Sequence, residues 1–175
     1  MKVATTHDRA VVRVLGIDPG TFNMGVGIVD SEDGELTLVY SGVLSPAKSS
    51  PLSQRLQYMY GQVLKTIQEW RPSLVAIEEP FVARNPRSAM AVGQAQGIAM
   101  VAAAQCGLPV SSYAPRQVKK AVTDYGGSSK EQVQQMVGIM LGLSEDLRQP
   151  LDATDALAVA ICHINTVQVM QIEVG

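Results

Sequence analysis

The chain has 175 residues, 46% of them hydrophobic, with 16 acidic against 14 basic side chains for a formal net charge of −2; this suits one domain with a sizeable core and excludes a disordered chain. Two cysteines without metal-type spacing, Cys106 and Cys162, exclude a disulfide scaffold and read as small core residues of a reducing compartment. The longest run of apolar and small residues, 97–104, is too short to span a bilayer and the N-terminus lacks a secretory apolar segment, so a cytoplasmic protein with no membrane partner is expected.

Residues 1–10 read as an extension that contains His7, Asp8 and Arg9, and "VVRVLGI" (11–17) then opens the domain as a β-branched apolar run. "MGVGIVD" (24–30) and "LTLVYSGVL" (36–44) follow, the second after the turn signal "DSEDGE", which predicts three strands in an antiparallel meander. Ser50-Pro51 offers an N-cap and a first helical position, and Leu52, Leu56, Tyr60, Val63, Leu64 and Ile67 recur at helical spacing up to Trp70. "SLVAIEE" (73–79) is a buried-strand pattern, residues 88–106 form a helix of small residues, and "LPVSSYAP" (108–115) is another strand. Helices complete the chain: one opens with a Ser128-x-x-Glu131 capping box, one runs through "LDATDALAVAICHIN", and 166–175 reads as a tail.

This order predicts an α/β fold of the ribonuclease H-like kind: a mixed five-stranded sheet, three strands antiparallel and then two parallel, flanked by helices in a single domain over 1–175. Charge is uneven along it. Residues 84–130 hold six basic side chains, Arg84, Arg87, Arg116, Lys119, Lys120 and Lys130, against Asp124 alone. They form either a DNA-binding surface or an ordinary solvated face.

Four acids stand where chemistry is expected. Asp18 ends the first strand, Glu78 lies in the "LVAIE" strand, and Asp152 and Asp155, three apart, project from one face at the start of the last helix. Taken singly, Asp18 serves a Pro-Gly turn, and Asp152 and Asp155 suit a helix N-terminus. Glu78 has no turn or cap to serve, whereas Glu79, on the opposite side of the pleat, suits an exposed strand end. No Lys or Arg flanks the four in sequence, so a divalent cation is the expected partner, and oxygen ligands favour Mg²⁺ or Mn²⁺.

"LGIDPGTFNMGVGIV", "LVAIEEPFVARNPRSAMAVGQAQGIAMVAAA", "YAPRQVKKAVTDYGGSSKEQVQQMV" and "DATDALAVAICH", in that order, resemble the RuvC family of Holliday-junction resolvases within the ribonuclease H superfamily. The resemblance implies a metal-dependent endonuclease that nicks four-way DNA junctions in pairs and leaves 5′-phosphate and 3′-hydroxyl ends. By position it makes Asp18, Glu78, Asp152 and Asp155 the catalytic acids holding two ions per subunit. Lys130, with Lys119, then stabilises charge on the phosphate, and Glu79 matches no catalytic position. The family also implies a homodimer and cooperation with the RuvA/RuvB branch-migration machinery. Pro80 and a single aromatic, Phe81, depart from the usual pattern after the glutamate.

Phe81 is expected either to stack on an opened base at the junction, beside Arg84 and Arg87, or to anchor a loop. Ala89, Gly93 and Gly97 recur every four residues and form either a dimer contact or a face packed on the chain's own sheet. Two other functions fit parts of the sequence. "GIDPGT" also resembles the phosphate turn of actin and Hsp70-type ATPases, although one domain is short for that class. A non-catalytic junction-binding module would keep the basic surface but has no use for four acids near phosphates.

Overall fold

A computed structural model describes residues 11–80, 86–144 and 149–174, with side chains as far as residue 168. The strands are β1 (Val12–Asp18), β2 (Met24–Glu32), β3 (Glu35–Leu44), β4 (Leu74–Glu78) and β5 (Val110–Tyr113). The helices are α1 (Leu52–Trp70), α2 (Pro86–Gln105), α3 (Pro115–Thr123), α4 (Lys130–Met140) and α5 (Leu151–Val174).

The five strands form one sheet in the order β3-β2-β1-β4-β5. β1 to β3 are antiparallel, and β4 and β5 join through helices as parallel strands, as the element order predicts. β1 is central and buried on both faces, which is why it reads as an almost unbroken apolar run. Asp33 and Gly34, both with positive φ, close the β2–β3 hairpin, the backbone that the Asp-Gly pair favours.

Two cores lie on opposite faces of the sheet. Leu15, Ile17, Val26, Ile28, Val75 and Ile77 pack against Met59, Val63 and Ile67 of α1 and Ala95, Ala99, Ala102 and Ala103 of α2. Val14, Val29 and Ala76 face the other way, toward Val118 and Val122 of α3, Val133 and Val137 of α4, and the residues 157–162 of α5. Alternation along β1 and β4 thus assigns Asp18 and Glu78 to the α5 face, with Val14 and Ala76. Among the described residues no helix is long and apolar enough to cross a membrane.

Several boundaries differ from the sequence expectation. Pro51, not Ser50, is the N-cap of α1, without a side-chain cap bond. α3 is a separate helix, its first turn closed by the Gln117 side chain, whose Oε1 accepts from Ala114 N. The capping box of α4 is Ser129 with Gln132 and not Ser128 with Glu131. Ser128 is buried, and its hydroxyl donates to Tyr125 O to close the α3–α4 turn, which leaves the cap to its neighbour. The segment expected as a tail is the continuation of α5 as far as Val174. The N-terminal extension lies outside the described residues.

Candidate active site

Asp18 and Glu78 come together because β1 and β4 are parallel and in register. Ile17 pairs with Ile77, and one residue further each strand ends in an acid. Glu79 lies beyond the strand, exposed, with its N–H donated to Tyr113 O, so the two adjacent glutamates are separated by the pleat.

The other two acids arrive on α5, which lies against the sheet over a floor of glycines. A Cβ on Gly16 would stand 2.0 Å from Ala156 O, and one on Gly25 1.8 Å from Asp152 O. Only hydrogen fits there. Because Gly25 is the cross-strand partner of Asp18, the contact that seats the first turn of α5 is made beside Asp18 itself. Asp152 and Asp155 are therefore delivered on consecutive turns to the edge where β1 and β4 end. The "MGVG" spacing, two glycines on one face of a strand, was the sequence signal for this seat.

The electrostatics of the cluster follow from the geometry. Burial, then repulsion from Asp155 and Asp152, raises Asp18 to about 7, partly offset by Lys130. Burial, then Asp18 and Asp155, raises Glu78 to about 8, with Lys130 and Lys119 opposing. Such coupling requires the four side chains to share one locality. Lys130, the first residue of α4, donates Nζ to Asp155 Oδ2 at 2.9 Å, and this bond raises the lysine above its ordinary value. A cation therefore reaches the cluster from a residue far away in sequence, although none flanks it.

Among the described residues no three Asp, Glu, His or Cys side chains are drawn close enough to hold one ion in this arrangement, with Asp155 engaged by Lys130. The donor set still fits a hard divalent cation. It is made of carboxylates, two of them half-buried and mutually repelled, a combination that a cation relieves.

Lys119 is partly buried in α3 and donates Nζ to Ser128 O at 2.8 Å, which ties it to the turn before α4. Arg116 and Lys120 of α3 and Arg87 at the start of α2 are exposed; Phe81 and Arg84 lie outside the described residues. On α2, a Cβ at Gly93 or Gly97 would meet nothing within 4 Å, so these positions do not pack on the chain's own sheet, a task done by Ala95, Ala99, Ala102 and Ala103. Ala89 is partly buried, and Met90 and Val101, 67% and 57% exposed, leave apolar surface on the same helix. Cys106 and Cys162 are free, the latter buried.

A cavity of about 470 Å³ beside α4 is lined by Gln134, Gly138, Leu143, Gln149 and Thr154 among others, and by none of the four acids. The acids stand instead at the open C-terminal edge of the sheet, where a long substrate can pass.

Comparison with known proteins agrees with this architecture. The family model described as "Crossover junction endodeoxyribonuclease RuvC" matches residues 14–163. A protein of that description from Dehalococcoides mccartyi (strain BAV1) is 48% identical over 152 residues, 87% of this chain and 90% of the relative. The solved structure of Thermus thermophilus RuvC in complex with a Holliday junction substrate superposes with a TM-score of 0.84 at 36% identity, covering 91% of this chain and 96% of that one. The yeast mitochondrial Holliday junction resolvase Ydc2 shares the fold, with a TM-score of 0.65 at 13% identity over 95% of this chain and 85% of that one. With the match spanning both parallel strands, the basic segment and the acidic helix, the chain belongs to the RuvC family of crossover junction endodeoxyribonucleases, on a ribonuclease H-like fold.

Proposed function

We propose that this chain is a metal-dependent endonuclease that resolves four-way DNA junctions by paired, symmetric nicks as a homodimer. The observation that carries the proposal is the meeting of Asp18, Glu78, Asp152 and Asp155 at one open edge, with Lys130 bonded to Asp155. Four carboxylates beside a basic segment repel phosphate unless cations stand between them. The T. thermophilus relative was solved on a junction substrate, which supports the same substrate here.

Asp18, Glu78, Asp152 and Asp155 are the residues that would hold Mg²⁺ or Mn²⁺, two ions per subunit. Held there, the ions would supply activation of a water and neutralisation of the leaving oxygen of a phosphodiester. Asp18 feels Asp155 and Asp152, and Glu78 feels Asp18 and Asp155, so the four carboxylates act on one another as a single cluster. In this scheme the acids serve as ligands and not as covalent nucleophiles. Lys130 brings a fixed positive charge toward the phosphate, and Lys119, held by Ser128 O, supports it from α3. Arg87, Arg116 and Lys120, with Arg84, position the DNA backbone, and Phe81 contacts the junction centre.

The dimer matches the symmetry of a junction cut at two equivalent strands. The outward face of α2, with Gly93 and Gly97 open and Met90 and Val101 exposed, is the candidate contact. The functional test is incubation of the purified protein with a synthetic four-way junction, a linear duplex and a single strand, with magnesium or with chelator. Junction-selective, magnesium-dependent nicking is expected. Equal cutting of duplex, or cutting in chelator, would overturn the proposal.

A further inference from the structure

The turn that follows Asp18, residues 19–23, carries a second feature at the catalytic edge. Thr21 is buried and Phe22, next to it, is 49% exposed. Gly20 approaches Asn23 O so closely that a Cβ would lie 2.0 Å from it, and Ser45 Oγ donates to Asn23 Oδ1 at 3.0 Å. The turn is thereby fastened to the segment after β3, and the ring of Phe22 is held outward.

Behind that ring stands Arg55, in the first turn of α1, with its guanidinium carbon 3.8 Å from the ring centroid. Its Nε is buried and has no hydrogen-bond partner. Neither the Arg13–Asp30 nor the Lys130–Asp155 ion pair includes it. A guanidinium has five donors, and leaving it without an anion in a partly buried setting is costly; the ring face offsets only part of that. β1 ends at Asp18, β3 ends at Leu44 and α1 begins at Leu52, so the pair sits at the same edge of the sheet as the four acids.

We infer that Arg55 and Phe22 form a DNA-backbone subsite, in which Arg55 binds a phosphate of the strand passing Asp18 and Phe22 orients the guanidinium. This rests on the junction-cleaving function proposed above. It adds a contact on the α1 side of the acids, across the sheet from Lys119 and Lys130 on the α5 side, so that the strand is held from both flanks. Arg55 is the residue that contacts DNA, and Phe22 is a positioning residue that acts through it.

The test is binding of a synthetic four-way junction in chelator, across a range of salt concentrations, by the full-length protein and its variants. For Arg55→Gln, affinity is expected to fall about three- to tenfold, and the slope of log affinity against log salt to become shallower by about 0.9 for each subunit engaged, the loss of one phosphate contact. Arg55→Lys should keep the slope, and Phe22→Leu should weaken binding while keeping it. Melting temperatures measured in parallel separate contact from fold. Wild-type affinity and slope in Arg55→Gln would overturn the inference, as would weakening in every variant that tracks a fall in melting temperature at unchanged slope. If the wild type itself neither binds nor cuts the junction, the proposed function fails first, and that outcome is read before any variant is compared.

Discussion

Lys130 Nζ and Asp155 Oδ2 are 2.9 Å apart, joining the first residue of α4 to the second acid of α5. The lysine side chain is 62% exposed, so the pair adds little to stability, on the order of 1 kcal/mol or less. On the proposed function its value is catalytic. Lys130→Ala should lower cleavage by roughly 10²-fold or more, the usual cost of one charge aimed at a reacting phosphate, while melting stays within a few degrees of wild type. Single-turnover cleavage and a thermal melt check both, and a full-rate variant would remove Lys130 from the mechanism.

Stability should depend on pH through the acids. Asp18 at about 7 and Glu78 at about 8 both lie above their unfolded values, so the metal-free folded state retains protons that the unfolded chain has released. Their contribution is complete below the unfolded carboxylate range, about pH 4, and is lost as pH rises through 7 to 8. The melting temperature in chelator should therefore fall relative to that of Asp18→Asn between about pH 5 and about pH 9, and magnesium should restore it at the upper end. Parallel profiles for the two proteins would contradict the assigned shifts.

The glycine floor makes a local claim. Gly25→Ala places a methyl group against the Asp152 carbonyl and must lift the first turn of α5. We expect a loss of about 1–3 kcal/mol from overpacking, and a larger proportional loss of cleavage, because Asp152 and Asp155 move with the helix. Gly138→Ala, in α4 where a Cβ meets nothing, should instead stabilise by about 0.5–1 kcal/mol. Chemical denaturation of the two variants decides between these signs.

For the dimer, Gly93→Leu adds bulk to the open face of α2 without disturbing the chain's own core. The expected product is a folded monomer that cannot make paired incisions. Sedimentation showing wild type monomeric at micromolar concentration, free and on junction DNA, would rule out the interface.

Much of the centre was legible in the sequence because its parts obey short-range periodicities. Asp18 closes an apolar run, Glu78 and Glu79 separate by strand alternation, and Asp152 and Asp155 share a helix face. What was not legible depends on contacts between distant residues. Lys130 meets Asp155 across 25 positions, and Arg55 meets Phe22 across the β2–β3 hairpin. The Ser128–Ser129 ambiguity is of the same kind: Glu131 and Gln132 can each complete a capping box, and the burial of Ser128 decided between them. The continuation of α5 has a sequence signal too, since no proline or glycine interrupts the chain between Thr166 and Gly175.

The most direct measurement sets two neighbouring residues against each other. Glu78 shares the α5 face with Asp18, whereas Glu79 is exposed beyond the strand. Single-turnover cleavage of a four-way junction in magnesium, with binding recorded in parallel, should show Glu78→Gln bound but inactive, as Asp18→Asn and Asp155→Asn are, and Glu79→Gln close to wild type. An active Glu78→Gln beside a dead Glu79→Gln would contradict the register of β4 and with it the four-carboxylate centre.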